Sequence, residues 1–223
     1  WLVPDILAAG YSLLRVNMRG AGPARPLAKG TYNACAGADL LAFITAAANH
    51  DPDVPLFMMA HSLGGTAALN MALDFPRETA RLAGLVTIGT PLDMMATSRR
   101  FSRHRNRVYG RHMLLALKHI AGTAPGISNE TLAAAFSARS VREFDDRVTA
   151  PMAGHRNAAA YYRASSVHER MQKIAIPVLV LHGSNDPWVP SKTCLKLPVP
   201  ADPLAGVSVV VTRGGGQIGR AHV

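Results

Sequence analysis

Cysteine is scarce: Cys35 and Cys194 are the only two in 223 residues, with no CxxC pair and no Cys/His cluster at metal-ligand spacing. A disulfide scaffold or a metal module is therefore not expected. Long hydrophobic runs are missing as well, since nothing approaches the roughly 18 consecutive apolar residues of a membrane-spanning helix. Acidic residues are few, 14 Asp+Glu against 24 Lys+Arg, for a formal net charge of +10. Such an excess suits nucleic acid or an anionic membrane as partner. Yet 19 of the 24 basic residues are Arg and the chain is rich in Ala, the codon bias of a GC-rich genome, which requires no anionic partner at all. No recognised nucleic-acid module accompanies the charge, so nucleic acid is not the expected partner. The 15 Pro and 19 Gly are scattered rather than periodic, which excludes a collagen-like chain. What is present, 48% apolar and 17% charged residues, supplies a substantial core for one large α/β domain or two small ones.

Residue 1 is Trp, and residues 1–10 read as the last turns of an amphipathic helix stopped by Gly10. The chain is expected to be a fragment whose start is missing, so the lack of a signal peptide carries no information. A cytoplasmic location is the expectation, with no targeting argument behind it. At the other end, residues 218–223 (IGRAHV) are what the sequencing-adapter oligonucleotide AGATCGGAAGAGCACACGTC encodes when read from its third base. These six residues are expected to be adapter translation. Gln217 then keeps only the first base of its native codon, a C, with which His codons also begin.

Between the ends, short apolar runs alternate with longer helical ones, the pattern of strand–helix units feeding a parallel sheet. Strands are expected at residues 12–17 (SLLRVN), 56–60 (LFMMA), 82–88, 176–181 and 207–212 (VSVVVT), and helices at 32–49 and 64–73, with a turn-rich stretch at 19–26. The insert at about 91–173 lacks convincing strands and reads as a helical cap. Its first part, residues 98–119, carries Arg99, Arg100, Arg103, Arg105, Arg107, Arg111 and Lys118 with no acidic residue. Two readings stand for it: a solvated Arg-rich helix, or a basic face toward a membrane or lipid-like substrate, with Arg99, Arg100, Arg103 and Arg107 as the contacts.

The stretch 56–65 (LFMMAHSLGG) is the most informative: an apolar strand, then A-H-S-L-G-G, then a helix of small residues. It reads as a nucleophile elbow with Ala60 in place of the first Gly of G-x-S-x-G. Small residues are expected at Ala60 and Gly64 because bulk there would collide with neighbouring backbone. Ser62 then projects from the C-terminal edge of the sheet, and the Leu63 N–H at the helix start is the expected oxyanion donor. A serine hydroxyl needs a base, and the base needs an acid; in this architecture the chain order is Ser, acid, His. Asp186, in H-G-S-N-D-P-W-V-P after the strand at 176–181, is the candidate acid. Asp202 also follows Ser62, but in a Pro-rich loop with no strand before it. The base should follow the last strand, in the glycines of residues 214–216, where the chain reads Gln217. Gln takes up no proton at neutral pH, so the chain as written is expected to be inactive. His61 and His182 read as structural, and His222 belongs to the adapter stretch.

With these residues in view, the chain resembles the YheT-like branch of the α/β hydrolases, over nearly its whole length. The resemblance rests on residues 16–22 (VNMRGAG), Ser62-Leu-Gly-Gly65, Thr90-Pro-Leu-Asp93, residues 144–151 (FDDRVTAP), residues 161–166 (YYRASS), Asp186-Pro-Trp-Val-Pro190 and the terminal glycines. The 144–151 and 161–166 stretches are the most specific, because generic α/β hydrolases lack them. The resemblance implies a partial α/β-hydrolase fold, a mostly parallel sheet with flanking helices and a helical cap, and a Ser/Asp/His esterase or lipase with no cofactor and no metal. It also implies that the family histidine falls on Gln217, and that the opening strands and the loop giving the second oxyanion donor precede residue 1. The expected function is hydrolysis of acyl esters or lipids. Acyl transfer to an alcohol by the same triad, and a non-catalytic hydrolase-like binding protein, are the alternatives.

Overall fold

The computed structural model describes residues 2–197 and 206–215. Its first helix, α1 (Val3–Ala8), ends before Gly10, whose φ of 84° is one a glycine adopts without strain. The next helix, α2 (Gly37–His50), is followed by strand β1 (Leu56–His61), helix α3 (Ser62–Asp74), a short helix α4 (Pro76–Thr79) and strand β2 (Leu82–Ile88). Six helical segments follow: α5 (Met94–Phe101), α6 (Arg107–Thr123), α7 (Asn129–Ser137), α8 (Val141–Phe144), α9 (Ala150–Met152) and α10 (Ala158–Ser165). Strand β3 (Val178–Gly183), helix α11 (Ser191–Cys194) and strand β4 (Val207–Thr212) complete the described chain.

All strand pairs are parallel and the sheet order is β1-β2-β3-β4. Chain order and spatial order coincide, so each strand returns through a helical crossover and every C-terminal strand end lies on one edge. The inner strands carry the mostly buried runs Leu82–Ile88 and Val178–Gly183, whereas β1 alternates between half-buried and exposed positions. Phe57 and Met59, on the open face of β1, are 56% and 46% exposed. Helix α3 lies against the other face, and residues 65–72 of it are all buried. Its neighbour α2 comes so close that a Cβ on Gly37 would stand 2.9 Å from the Met71 backbone, so no other residue fits there.

The strand expected at residues 12–17 does not form. It pairs with none of the described strands, and Tyr11, Leu13 and Leu14 remain exposed; only Val16 and Met18 pack on the core. A strand needs a partner for its backbone groups, and hydrophobic alternation does not provide one. Helix α2 also begins five residues later than expected.

The segment between β2 and β3 is helical among the described residues. Four of its helices start on side-chain caps from Asp93, Ser128, Ser140 and Asn157, each accepting the backbone N–H three residues on. The two stretches that set this chain apart in sequence meet here. Within a single π-turn at Asp145–Thr149, the Asp145 carboxylate accepts the Tyr162 hydroxyl at 2.6 Å and the Thr149 hydroxyl at 2.8 Å, while Asp146 accepts the Ala158 N–H at 2.8 Å. Their specificity is thus architectural: they lock one turn of the insert to α10.

Two polar groups in this framework give measurable predictions. The buried Asn70 amide nitrogen on α3 lies 2.9–3.1 Å from the carbonyls of Ala34, Thr66 and Ser165, and its oxygen accepts from Arg170 at 2.8 Å. Asn70→Ala leaves those groups unpaired and should cost about 2–4 kcal/mol, read as a lower urea midpoint with unchanged slope. Burial pushes the Asp145 carboxyl up to about 6, against the opposing effect of its two hydrogen bonds. A raised folded-state value favours the native state below the unfolded value near 4 and ceases to help as pH climbs through 6. Stability should therefore fall by up to about 3 kcal/mol between roughly pH 4 and 6.5, and Asp145→Asn should remove that slope in urea titrations across this range.

Candidate functional site

At the C-terminal end of β1 the chain turns directly into α3. His61 is extended, with φ −113° and ψ 144°, and Ser62 has φ 49°, alone among the described non-glycine residues in being positive. Such a conformation costs about 1–3 kcal/mol and persists only where the surroundings enforce it. The buried helix behind Ser62 provides that enforcement. No side chain caps the start of α3, so its first N–H groups, Leu63's included, point past Ser62 toward the sheet edge with the positive end of the helix dipole. The Leu63 side chain packs on the insert cluster of Met94, Tyr161 and Tyr162.

The expectation that Gly64 must be small is corrected by the geometry. A Cβ there would meet only the Met18 sulfur at an ordinary 3.6 Å, whereas one on Gly65 would lie 2.0 Å from the Thr90 hydroxyl. The tight contact is one residue further on, where α3 crosses the loop after β2. Ala60 packs against the core, and His61 is exposed.

Asp186 follows β3 and is 1% exposed. Its Oδ1 accepts the N–H groups of Trp188 at 2.8 Å and Val189 at 2.9 Å. Its Oδ2 is buried with no hydrogen-bond partner among the described residues. His182, within β3, places Nε2 3.3 Å from the Val189 carbonyl and 4.0 Å from Asp186 Oδ2, with its side chain wholly buried. That nitrogen donates to the carbonyl, and burial keeps the ring from any substrate. Ser62 and Asp186 thus stand on the same edge, two strand intervals apart, on the order of 10 Å. Beyond β4 the chain emerges beside the acid loop, since Ser184 N–H donates to the Thr212 carbonyl at 2.8 Å. Gln217 and Asp202, and residues 218–223, lie outside the described residues.

The arginine stretch does not present one face. Arg99, Arg103 and Arg107 are exposed, but Arg100, expected among the membrane contacts, turns inward and donates to the carbonyls of Asp186 and Pro187. The pull comes from two backbone acceptors of that loop, one of which, the Pro187 carbonyl, also accepts Asn106 Nδ2 at 3.0 Å and Arg105 Nη2 at 3.4 Å. Sequence spacing gave no sign of this, because the partners are 86 and 87 residues away. No group of three or more His, Cys, Asp or Glu side chains among the described residues is placed to hold a metal ion. Nor is any described helix long and apolar enough to cross a membrane.

A strained serine at a strand–helix turn, with a buried acid on the same sheet edge, is the arrangement of one large fold family. The model of that family, described as alpha/beta hydrolase fold, matches residues 2–202, and the chain belongs to it. Among curated relatives, the chain is 31% identical to the YheT protein of Escherichia coli K12 over 173 residues, covering 74% of this chain and 48% of that protein. It is 29% identical to the mouse phospholipase ABHD3 over 217 residues, covering 94% of this chain and 51% of that one. The chain therefore spans about half the length of the curated relatives it matches. Among solved structures, a monoacylglycerol lipase from Paleococcus ferrophilus superposes with a TM-score of 0.54 at 18% identity, covering 97% of this chain and 79% of the other, which speaks for the fold alone.

The contact at Gly65 yields a paired prediction. Gly65→Ala must displace Thr90 and should cost about 1–3 kcal/mol. Gly64→Ala, with space for its methyl, should leave thermal stability unchanged or raise it by less than about 1 kcal/mol. Calorimetry on both variants reads the difference, and equal losses would contradict the assigned contact.

Proposed function

We propose that this chain carries the nucleophile and acid of a serine hydrolase that cleaves carboxylic esters of acyl chains, with Ser62, Asp186 and a histidine at position 217 as its triad. The observation that carries the reading is the left-handed Ser62 between β1 and α3. In support, Asp186 keeps one buried carboxylate oxygen unpartnered among the described residues, suited to an imidazole N–H. The relatives point the same way: a phospholipase in mouse, and in yeast a medium-chain fatty acid ethyl ester synthase/esterase 24% identical over 204 residues.

The chemistry follows from the groups present. Ser62 Oγ attacks the acyl carbonyl as its proton passes to the imidazole, and the charge on the carbonyl oxygen falls to the Leu63 N–H at the start of α3. The imidazolium, steadied by Asp186 Oδ2, returns the proton to the departing alcohol. Water, activated by the same imidazole, then releases the acid and frees Ser62. With Gln at 217 the proton has nowhere to go. Read at face value, Gln217 favours the second reading, a binding protein that has kept the fold and lost the reaction.

One substitution separates the two. Gln217→His should raise hydrolysis of a p-nitrophenyl acyl ester by at least about 100-fold and allow a fluorophosphonate to label Ser62. Adding Ser62→Ala should abolish both. A folded Gln217→His chain with no gain, labelled no differently after Ser62→Ala, would sink the hydrolase reading and leave the binding protein. Product analysis in water–alcohol mixtures distinguishes hydrolysis from acyl transfer.

A further inference from the structure

We propose that Arg100, on the first helix of the insert, is a positioning residue that holds the acid of the triad in its working geometry. The proposal rests on the reading of Asp186 as that acid. The Asp186 side chain owes its orientation to two N–H donors, those of Trp188 and Val189, both to Oδ1. The first belongs to the same peptide group as the Pro187 carbonyl. That carbonyl accepts Arg100 Nε at 3.2 Å, Asn106 Nδ2 at 3.0 Å and, more distantly, Arg105 Nη2 at 3.4 Å. One peptide plane is thereby gripped at both ends, its oxygen by the insert and its nitrogen by the acid. The preceding carbonyl, that of Asp186 itself, accepts the other arm of the Arg100 guanidinium at 2.8 Å. Arg100 therefore spans both carbonyls that flank Pro187, with the planar fork a guanidinium offers and an ammonium does not.

Fixing these planes has a chemical result. A carbonyl bound to a cation polarises its peptide, which makes the N–H at the far end a better donor to Asp186 Oδ1. With Oδ1 occupied, Oδ2 is the oxygen left to face a base. Burial and the neighbouring Arg105 and Arg103 lower the Arg100 pKa, with the Asp186 carboxylate opposing them as the smallest influence, so the contact stands on its hydrogen-bond geometry. The support around the contact is built rather than incidental. Buried Asn106 also donates to the Arg100 carbonyl at 2.9 Å, and Trp188 stacks on Tyr109 of the insert with ring centroids 3.7 Å apart. A helix outside the sheet thus sets the acid within it.

The test uses the Gln217→His chain as parent, with rates expressed per active site titrated by a fluorophosphonate, so that lost folded protein is not read as lost turnover. Arg100→Ala should lower kcat by roughly 10- to 100-fold with KM within about twofold, the signature of a misplaced group that does not bind substrate. Arg100→Lys, which keeps the charge and loses the fork, should show a smaller loss, also in kcat alone. Amide exchange at Trp188 and Val189 should speed up at least about tenfold in Arg100→Ala and stay unchanged in Arg103→Ala. If Arg100→Ala does not fold, Arg100→Lys decides by the same split. Unchanged kcat with slow exchange at Trp188, or a change confined to KM, overturns the proposal. An inert parent overturns the triad reading before any Arg100 variant is made, and the proposal falls with it, an outcome distinct from an active parent indifferent to Arg100.

Discussion

Asn70 is the constraint on which the rest of the structure turns. It sits in the middle of a largely apolar buried helix, and a buried amide there is tolerable only if all its polar atoms are matched. Its partners come from the loop before α2, from α3 itself, from the end of α10 and from Arg170, which in turn donates to the carbonyls of Ala164 and Ser166. One side chain thus joins the sheet-facing helix to the insert. Hydrophobic packing alone would let α3 slide or rotate by small steps, because apolar contacts are non-directional. The amide fixes its position, and with it the strained turn at its first residue. Ser62 keeps an unfavourable backbone conformation because nothing behind it is free to relax.

Much of this was legible in the sequence, for reasons that differ by element. The aliphatic runs of β2 and β3 revealed buried parallel strands because such strands are apolar on both faces, and the β-branched run of β4 revealed a strand that turns out only partly buried. The A-H-S-L-G-G string revealed the turn because few residue types survive a left-handed serine flanked by strand and helix. Asp186 drew attention as a candidate by its place after a strand and before a Pro-rich turn. Other features carried no local signal. Residues 12–17 have the alternation of a strand, but pairing is a property of neighbours. Thr90, which makes Gly65 obligatory, lies 25 residues along the chain from it, and nothing about either residue announces the other. The role of the Asp145 carboxylate was hidden because the sequence showed only that its stretch was unusual, not that Tyr162 and Thr149 close around it. Asn70 offered a faint hint, a lone amide in an apolar helix.

The arginines show why composition is a poor guide to contact. Counted together, the basic residues of the insert suggest a uniformly charged face. In space they separate by environment: Arg99, Arg103 and Arg107 are exposed, while Arg100 reaches the carbonyls of Asp186 and Pro187. A guanidinium follows backbone acceptors within its reach, and exposure alone does not tell which arginine has found one: Arg105 is exposed and still donates to the Pro187 carbonyl at 3.4 Å.

The insert leaves and rejoins the sheet at a single neck. The Leu92 carbonyl accepts the N–H groups of both Val167 and His168, and Met94 N–H donates to the Ser166 hydroxyl. The intervening helices therefore form a cassette whose two ends share one socket, tied to the rest of the fold also through Asn70 and Arg100, and its length can change across evolution at little entropic cost to the sheet. Such a cassette is the natural unit for grafting between relatives. The electrical half of the plug is Arg100: a replacement that fits the socket mechanically but brings no guanidinium to that place would leave the Asp186 carbonyl without its donor.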